Sequence, residues 1–134
     1  MPPFDLTDVH EVKDEGHDPK KGIYIRPPVV TAIDGGSVSR LFASDELNVS
    51  IATGHLNAKK TSVPHMHRKA EEIYYVTSGR GKIHVGDSTF DAMEGVVVYI
   101  PRMMGHYTEN TGHKPIHLLC LSSPPYTNRD FVRL

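Results

Sequence analysis

Cysteine is almost absent from this 134-residue chain: Cys120 stands alone, so no intrachain disulfide can brace the fold. Charge of one sign is never concentrated. The formal net charge is −1 and no window holds a block of like charges, which gives no footing to a nucleic-acid or anionic-membrane surface. No run approaches the roughly eighteen apolar residues a membrane span needs. The N-terminal stretch MPPFDLTDVHEVKDEGHD lacks the basic and apolar regions of a secretory signal, so a reducing, cytoplasmic setting is the expectation. Glycine-rich phosphate loops, a Gly-x-Ser-x-Gly elbow and zinc-finger cysteine pairs are missing as well. Helical periodicity is missing too, since no window repeats its apolar residues at a spacing of about 3.6.

What is present is a chain of single-domain length, with 38% apolar and 23% charged residues, and nine histidines. Residues 1–22 are polar and broken by Pro2, Pro3, Gly16, Pro19 and Gly22. They read as an N-terminal arm with one helical turn around Leu6 to Val12, carrying His10 and His17 on its surface. From residue 23 to 134 the pattern is one β-domain of short strand-like runs. IYIRPPVVT comes first, its prolines confining it to an edge or to a strand exchanged with a partner, which predicts a homodimer. SRLFAS, LNVSIATGHL, IYYVTSG, GKIHVGD, STFDAM, GVVVYIP, HYTENT and IHLLCLS follow, separated by turn residues. Many short strands at this spacing predict an all-β sandwich or barrel. The closing SSPPYTNRD reads as a proline-rich turn leading to a short tail.

The histidines have a pattern. In 65-HMHRKAEEIYYVTSG-79, His65 and His67 are two apart and face one side of a strand, while Met66 faces the other. Pro64 enforces an extended approach to the pair. Glu72 is in phase with Tyr74 and Val76, whereas Glu71 shares the opposite face with Ile73 and Tyr75. Further on, Gly95-Val96-Val97-Val98-Tyr99-Ile100-Pro101 reads as a turn and a buried strand, followed by His106. In a barrel this later strand can return beside the first and bring His106 to the same point. Three imidazoles and one carboxylate suit Fe(II), Mn(II), Ni(II) or Zn(II), with positions left for water or substrate.

These residues resemble the cupin family. The first family motif is similar to His65-x-His67-x4-Glu72-x6-Gly79, and the second to Gly95-x5-Pro101-x4-His106-x3-Asn110. The resemblance implies a double-stranded β-helix barrel (jelly-roll type) with His65, His67, Glu72 and His106 as ligands of one divalent transition metal, iron foremost. Two family glycines are replaced here, by Lys59 and by Met103. Some cupin lyases use a tyrosine in a run resembling Glu-Ile-Tyr, which marks Tyr74 as a candidate proton-transfer residue if its phenol pKa were lowered.

Other candidates are weaker. Tyr99 could line the same cavity. His84, His117 and His55 sit in or beside strands, and His113 in a turn. Arg26, Arg40 and Arg102 could pair with a substrate carboxylate. Cys120, flanked by leucines, reads as a small buried hydrophobe. The leading expectation is an Fe(II)-type dioxygenase acting on a small polar metabolite. Its alternatives are a lyase or isomerase using Tyr74, and a non-catalytic metal-dependent binding protein.

Overall fold

A computed structural model describes residues 48–127 and 129–134 in full, and the strands at 9–11 and 36–42 as backbone. Eleven strands are present and no helix among the described residues. They are β1 (Val9–Glu11), β2 (Gly36–Phe42), β3 (Ser50–Leu56), β4 (His65–His67), β5 (Glu71–Ser78) and β6 (Arg80–Val85). Then come β7 (Ser88–Met93), β8 (Val97–Ile100), β9 (His106–Glu109), β10 (Ile116–Ser123) and β11 (Phe131–Arg133). One sheet is six-stranded in the order β1-β2-β3-β10-β5-β8, the other five-stranded in the order β11-β4-β9-β6-β7. All pairings are antiparallel except that of β1 with β2 at the sheet edge. The chain changes sheet between β3 and β4, β4 and β5, and β5 and β6, so two sheets face each other as a barrel.

The alternation read from the sequence is the alternation that builds the core. Along β5, Glu72, Tyr74 and Val76 are buried while Ile73 and Tyr75 are exposed. Val76, Ile83, Val98, Ile100, Ile116 and Leu118 meet between the sheets. Burying each large aliphatic side chain stabilises the fold by about 1.5–3 kcal/mol. Asn110, from the second motif, is a buried polar staple. Its Nδ2 donates to the carbonyls of Leu56 (3.0 Å) and Lys114 (2.9 Å), and its Oδ1 accepts from Gly112 N (2.9 Å).

Two readings are corrected. Val9–Glu11 is a strand pairing with β2, not part of a helical turn; a single uncapped turn has no means to offset its nucleation cost, whereas a sheet edge offers partners at once. The tail after SSPPYTNRD is β11, paired antiparallel with β4. The segment IYIRPPVVT and the remainder of the arm lie outside the described residues.

The turns explain the motif glycines. Gly79 alone joins β5 to β6 with φ of +93°, and a Cβ there would stand 2.5 Å from the Pro115 carbonyl oxygen. The two replaced glycines are more telling: Lys59 and Met103 adopt φ of 64° and 63°. The family's backbone geometry is therefore kept without its glycines, at a left-handed cost of about 1–2 kcal/mol per residue. Met103 is 57% exposed, so its side chain adds little in return. Met103→Gly is expected to raise the unfolding free energy by about 1 kcal/mol, part of the relieved strain being lost to the greater freedom of glycine when unfolded. Urea denaturation reads this as a higher midpoint at constant slope; a lowered midpoint would contradict it.

Candidate metal centre

The site lies between the sheets at one end of the barrel. β4 and β9 pair there, with His65 opposite His106. His67 shares the buried face of His65, and Met66 turns away half-buried, as the alternation requires. Glu72 arrives from the other sheet, flanked in register by Ser122 of β10 and Ile100 of β8. His65, His67, Glu72 and His106 are all buried, and one ligand-type atom from each lies within 4.8 Å of the others.

Hydrogen bonds aim two of the imidazoles. Nδ1 of His65 donates to the Val63 carbonyl at 2.9 Å, and Nδ1 of His106 to the Met104 carbonyl at 2.9 Å. A proton held on Nδ1 leaves the lone pair on Nε2, turned inward. Nε2 of His65, Nε2 of His106 and Oε1 of Glu72 are buried without a hydrogen-bond partner. His67 Nε2 also faces Glu72 Oε1. Buried polar atoms are nearly always partnered, so several converging unpartnered acceptors fit a cation. The donor set, nitrogen with one carboxylate oxygen, suits a divalent transition metal.

Burial sets the charge. The His65 pKa is lowered to about 3, first by burial and then by the neighbouring His106. The His106 pKa is also lowered, again chiefly by burial, with Glu72 opposing. Both rings are therefore neutral, as ligation demands. Tyr74 lies inside the barrel as expected, but its pKa moves upward, because burial and the Glu72 charge both disfavour a phenolate. Its hydroxyl is a held proton, hydrogen-bonded to Glu72. Burial and Glu72 push the Cys120 thiol up as well.

The remaining candidates are dispersed. Tyr99 faces outward and its hydroxyl donates to Glu71 at 2.7 Å, so it neither lines the cavity nor packs in the core. It alternates with Val98 and Ile100, and those two take the inward positions. His84 is held by Glu109 (3.0 Å) and Thr89 (3.1 Å) and stacks on Tyr107, on the outer face of the five-stranded sheet. His55 and His117 meet edge to face at 4.5 Å on the outside of the other sheet. His113 and Arg102 are exposed. The Arg40 side chain and Arg26 are outside the described residues.

The sequence reading missed the C-terminal segment. Phe131 pairs with His67 in register, and its ring stacks on His65 at 4.7 Å. The buried Asp130 carboxylate accepts from the amides of Lys69 (2.7 Å) and Ala70 (2.9 Å), fixing the turn that carries the chain from His67 to Glu72. The Tyr126 ring stands edge-on to His67 at 5.6 Å. An acid just ahead of the alternating Phe131-Val132-Arg133 was the one available signal, too short to separate from a tail.

The fold agrees with the comparisons. The family model described as Cupin domain matches residues 52–122, and the chain belongs to the cupin family. An uncharacterized protein of Methanocaldococcus jannaschii is 36% identical over 81 residues, 60% of this chain and 65% of that protein. Oxalate decarboxylase OxdC of Bacillus subtilis is 32% identical over 97 residues, 64% of this chain and 24% of that protein. A structure of an oxalate decarboxylase from Bacillus subtilis superposes with a TM-score of 0.67 at 27% identity, covering 75% of this chain and 28% of that one. Glucose-6-phosphate isomerase of Thermococcus onnurineus is 39% identical over 64 residues, 42% of this chain and 34% of the isomerase. The match thus spans less than two thirds of each of these relatives.

Two predictions follow from the site's construction. Asp130→Asn replaces an acceptor by a donor and is expected to weaken metal binding by about tenfold or more, measured by competition with a chromophoric chelator; unchanged affinity would remove Asp130's role in placing Glu72. For metal-stripped protein, the folded His65 pKa of about 3 lies below its unfolded value of about 6.5, so the unfolded chain binds more protons between those values. Stability from this group is complete above about pH 6.5 and falls as pH drops, by about 2 kcal/mol at pH 5. Urea unfolding in chelator at pH 7 and pH 5 measures it, and equal midpoints would contradict it.

Proposed function

We propose that the chain is a metal-dependent enzyme acting on a small polar metabolite. The observation that carries this reading is the set of converging, unpartnered Nε2 and carboxylate atoms on His65, His106 and Glu72, with His67 beside them. In this reading all four residues hold one divalent ion, and an ion there supplies Lewis-acid polarisation of a substrate oxygen or, with iron, redox chemistry toward dioxygen. Tyr74 keeps its proton on the phenol oxygen, against Glu72, where it can donate to a reacting group. Phe131 and the barrel wall keep bulk water from the imidazoles. Asp130 holds the turn that sets Glu72 against His67. The domain works as a homodimer on a small-molecule substrate, without nucleic-acid or membrane partners.

Among reaction types, lyase or isomerase chemistry is supported by the protonated Tyr74 beside the centre and by the names of the decarboxylase and isomerase relatives. The dioxygenase reading rests on the ligand set, since three histidines and a glutamate leave positions for substrate and oxygen.

Protein purified without chelator is expected to carry about one equivalent of iron, manganese, nickel or zinc per chain by elemental analysis, and His106→Ala to lose it. Failure to take up any of these ions on reconstitution would sink the reading. With a turnover assay, Tyr74→Phe is expected to lower kcat by about 10²- to 10⁴-fold at unchanged metal content. Full activity in that variant would end the proton-transfer role, and oxygen consumption during turnover would decide for the dioxygenase.

A further inference from the structure

Of the described histidines outside the buried centre, His84 has both ring nitrogens taken, by Thr89 and Glu109, and His113 stands in an exposed turn. His55 and His117 are different. They face each other in register across β3 and β10, on the outer face of the six-stranded sheet. Their ring centroids are 4.5 Å apart at an interplanar angle of 83°. His65 and His67, inside the barrel, are arranged much alike, at 5.1 Å and 85°. Both outer rings have a lone pair to offer. Nε2 of His55 donates to Asn57 Oδ1 at 2.9 Å, because an amide oxygen can only accept, and this leaves Nδ1 of the neutral ring bare. Among the described residues nothing hydrogen-bonds the His117 ring. Burial, and then His55, lowers the His117 pKa, which favours the neutral form that binds metal.

We propose that His55 and His117 form a second metal site, a chelate on the outer sheet face for a divalent ion of the Cu(II), Ni(II) and Zn(II) class. Imidazole suits these ions, and two imidazoles leave the other coordination positions to water. The backbone sets both ligands. β3 lies between β2 and β10, and β10 between β3 and β5, so each strand is paired along both edges. The β10–β5 register shifts at His117, with Thr77 as the extra residue, and Thr77 Oγ1 donates to the His117 carbonyl at 3.1 Å. Two ligands fixed in this way lose little freedom when an ion joins them, an advantage that scattered surface histidines lack. The site is separate from the buried centre. His117 to Ser122, which pairs with Glu72, is about 17 Å of strand, and His117 points outward where Glu72 points inward. The outer chelate therefore stands or falls independently of the metal-dependent reading above.

Calorimetric titration of the full chain with Cu(II) tests this, and a parallel titration with Zn(II) is expected to show weaker binding at the outer site. One saturable equivalent of copper is expected at the outer site, apart from any held in the barrel. His117→Ala is expected to weaken it about a hundredfold, the advantage of a chelate over a single imidazole, and to leave the buried centre's equivalent in place. His84→Ala, on the other sheet, is expected to change neither. His106→Ala, which removes a ligand of the buried centre, is expected to keep the outer equivalent, so failure of one site is distinguishable from failure of the other. Electron paramagnetic resonance of the outer copper is expected to show coupling to two imidazole nitrogens. Should His117→Ala not fold by circular dichroism, His55→Gln replaces it, with the same loss and coupling to one nitrogen expected. No saturable copper outside the buried centre, a single coupled nitrogen in the wild type, or an outer equivalent that survives substitution of either histidine would overturn the proposal.

Discussion

A carboxylate buried among three imidazoles is the constraint on which the rest of this structure depends. Glu72 sits inside the barrel with His65, His67 and His106 around it. Burial has taken the charge away from two of those rings, pushing His65 to a pKa of about 3 and lowering His106. They cannot balance the carboxylate as cations. A carboxylate buried in such a place costs several kcal/mol, which the hydrogen bond from Tyr74 and the contact with His67 Nε2 offset in part. The backbone carbonyls of Val63 and Met104 do the complementary work, holding the ring protons on the far nitrogens. The arrangement costs the barrel stability and fits a cation, whose binding would draw on the same free energy as folding.

Much of this was legible because the relevant physics is local. The period of two in Glu72-Ile73-Tyr74-Tyr75-Val76 decides which glutamate turns inward, and the burial pattern follows it residue by residue. The approach of His106 to His65 rests on a barrel closing, a topological inference the two motifs make specific. What escaped is non-local. Asp130 acts on amides some sixty residues earlier in the chain, and β11 is a strand only because β4 offers it an edge. Three residues carry too little pattern to announce themselves. Tyr99 was misjudged for a related reason: its strand has one sheet neighbour, β5, and its outer face has no cover that sequence could report.

The turns show the same division between geometry and composition. Lys59 and Met103 stand where the family often has glycine, yet both hold the left-handed conformation that glycine serves. In each case a backbone hydrogen bond sits beside the strained residue: Lys60 N to Asn57 O at 3.2 Å, and Met103 N to His67 O at 2.7 Å. The second ties the loop before His106 to the strand carrying His67. The fold over-determines the turn, so the strain is tolerated where it helps set His67 and His106.

Strand β5 joins the buried site to the outer surface of the barrel. Its inner face carries Glu72 and Tyr74, and its outer face carries Ile73 and Tyr75. A slip of one residue in register would exchange these sets, exposing the carboxylate and driving the apolar pair inward, so both sides of the strand depend on one register. That register is held at each end and along both edges. The Asp130 carboxylate grips the turn before Glu72, and Gly79 closes the strand in a conformation a larger residue would strain. β10 and β8 pair with it on either side. A strand pinned on four sides can hold Glu72 in a fixed place in the interior while its other face stands exposed, because a shift of one face would have to break the restraints that hold both.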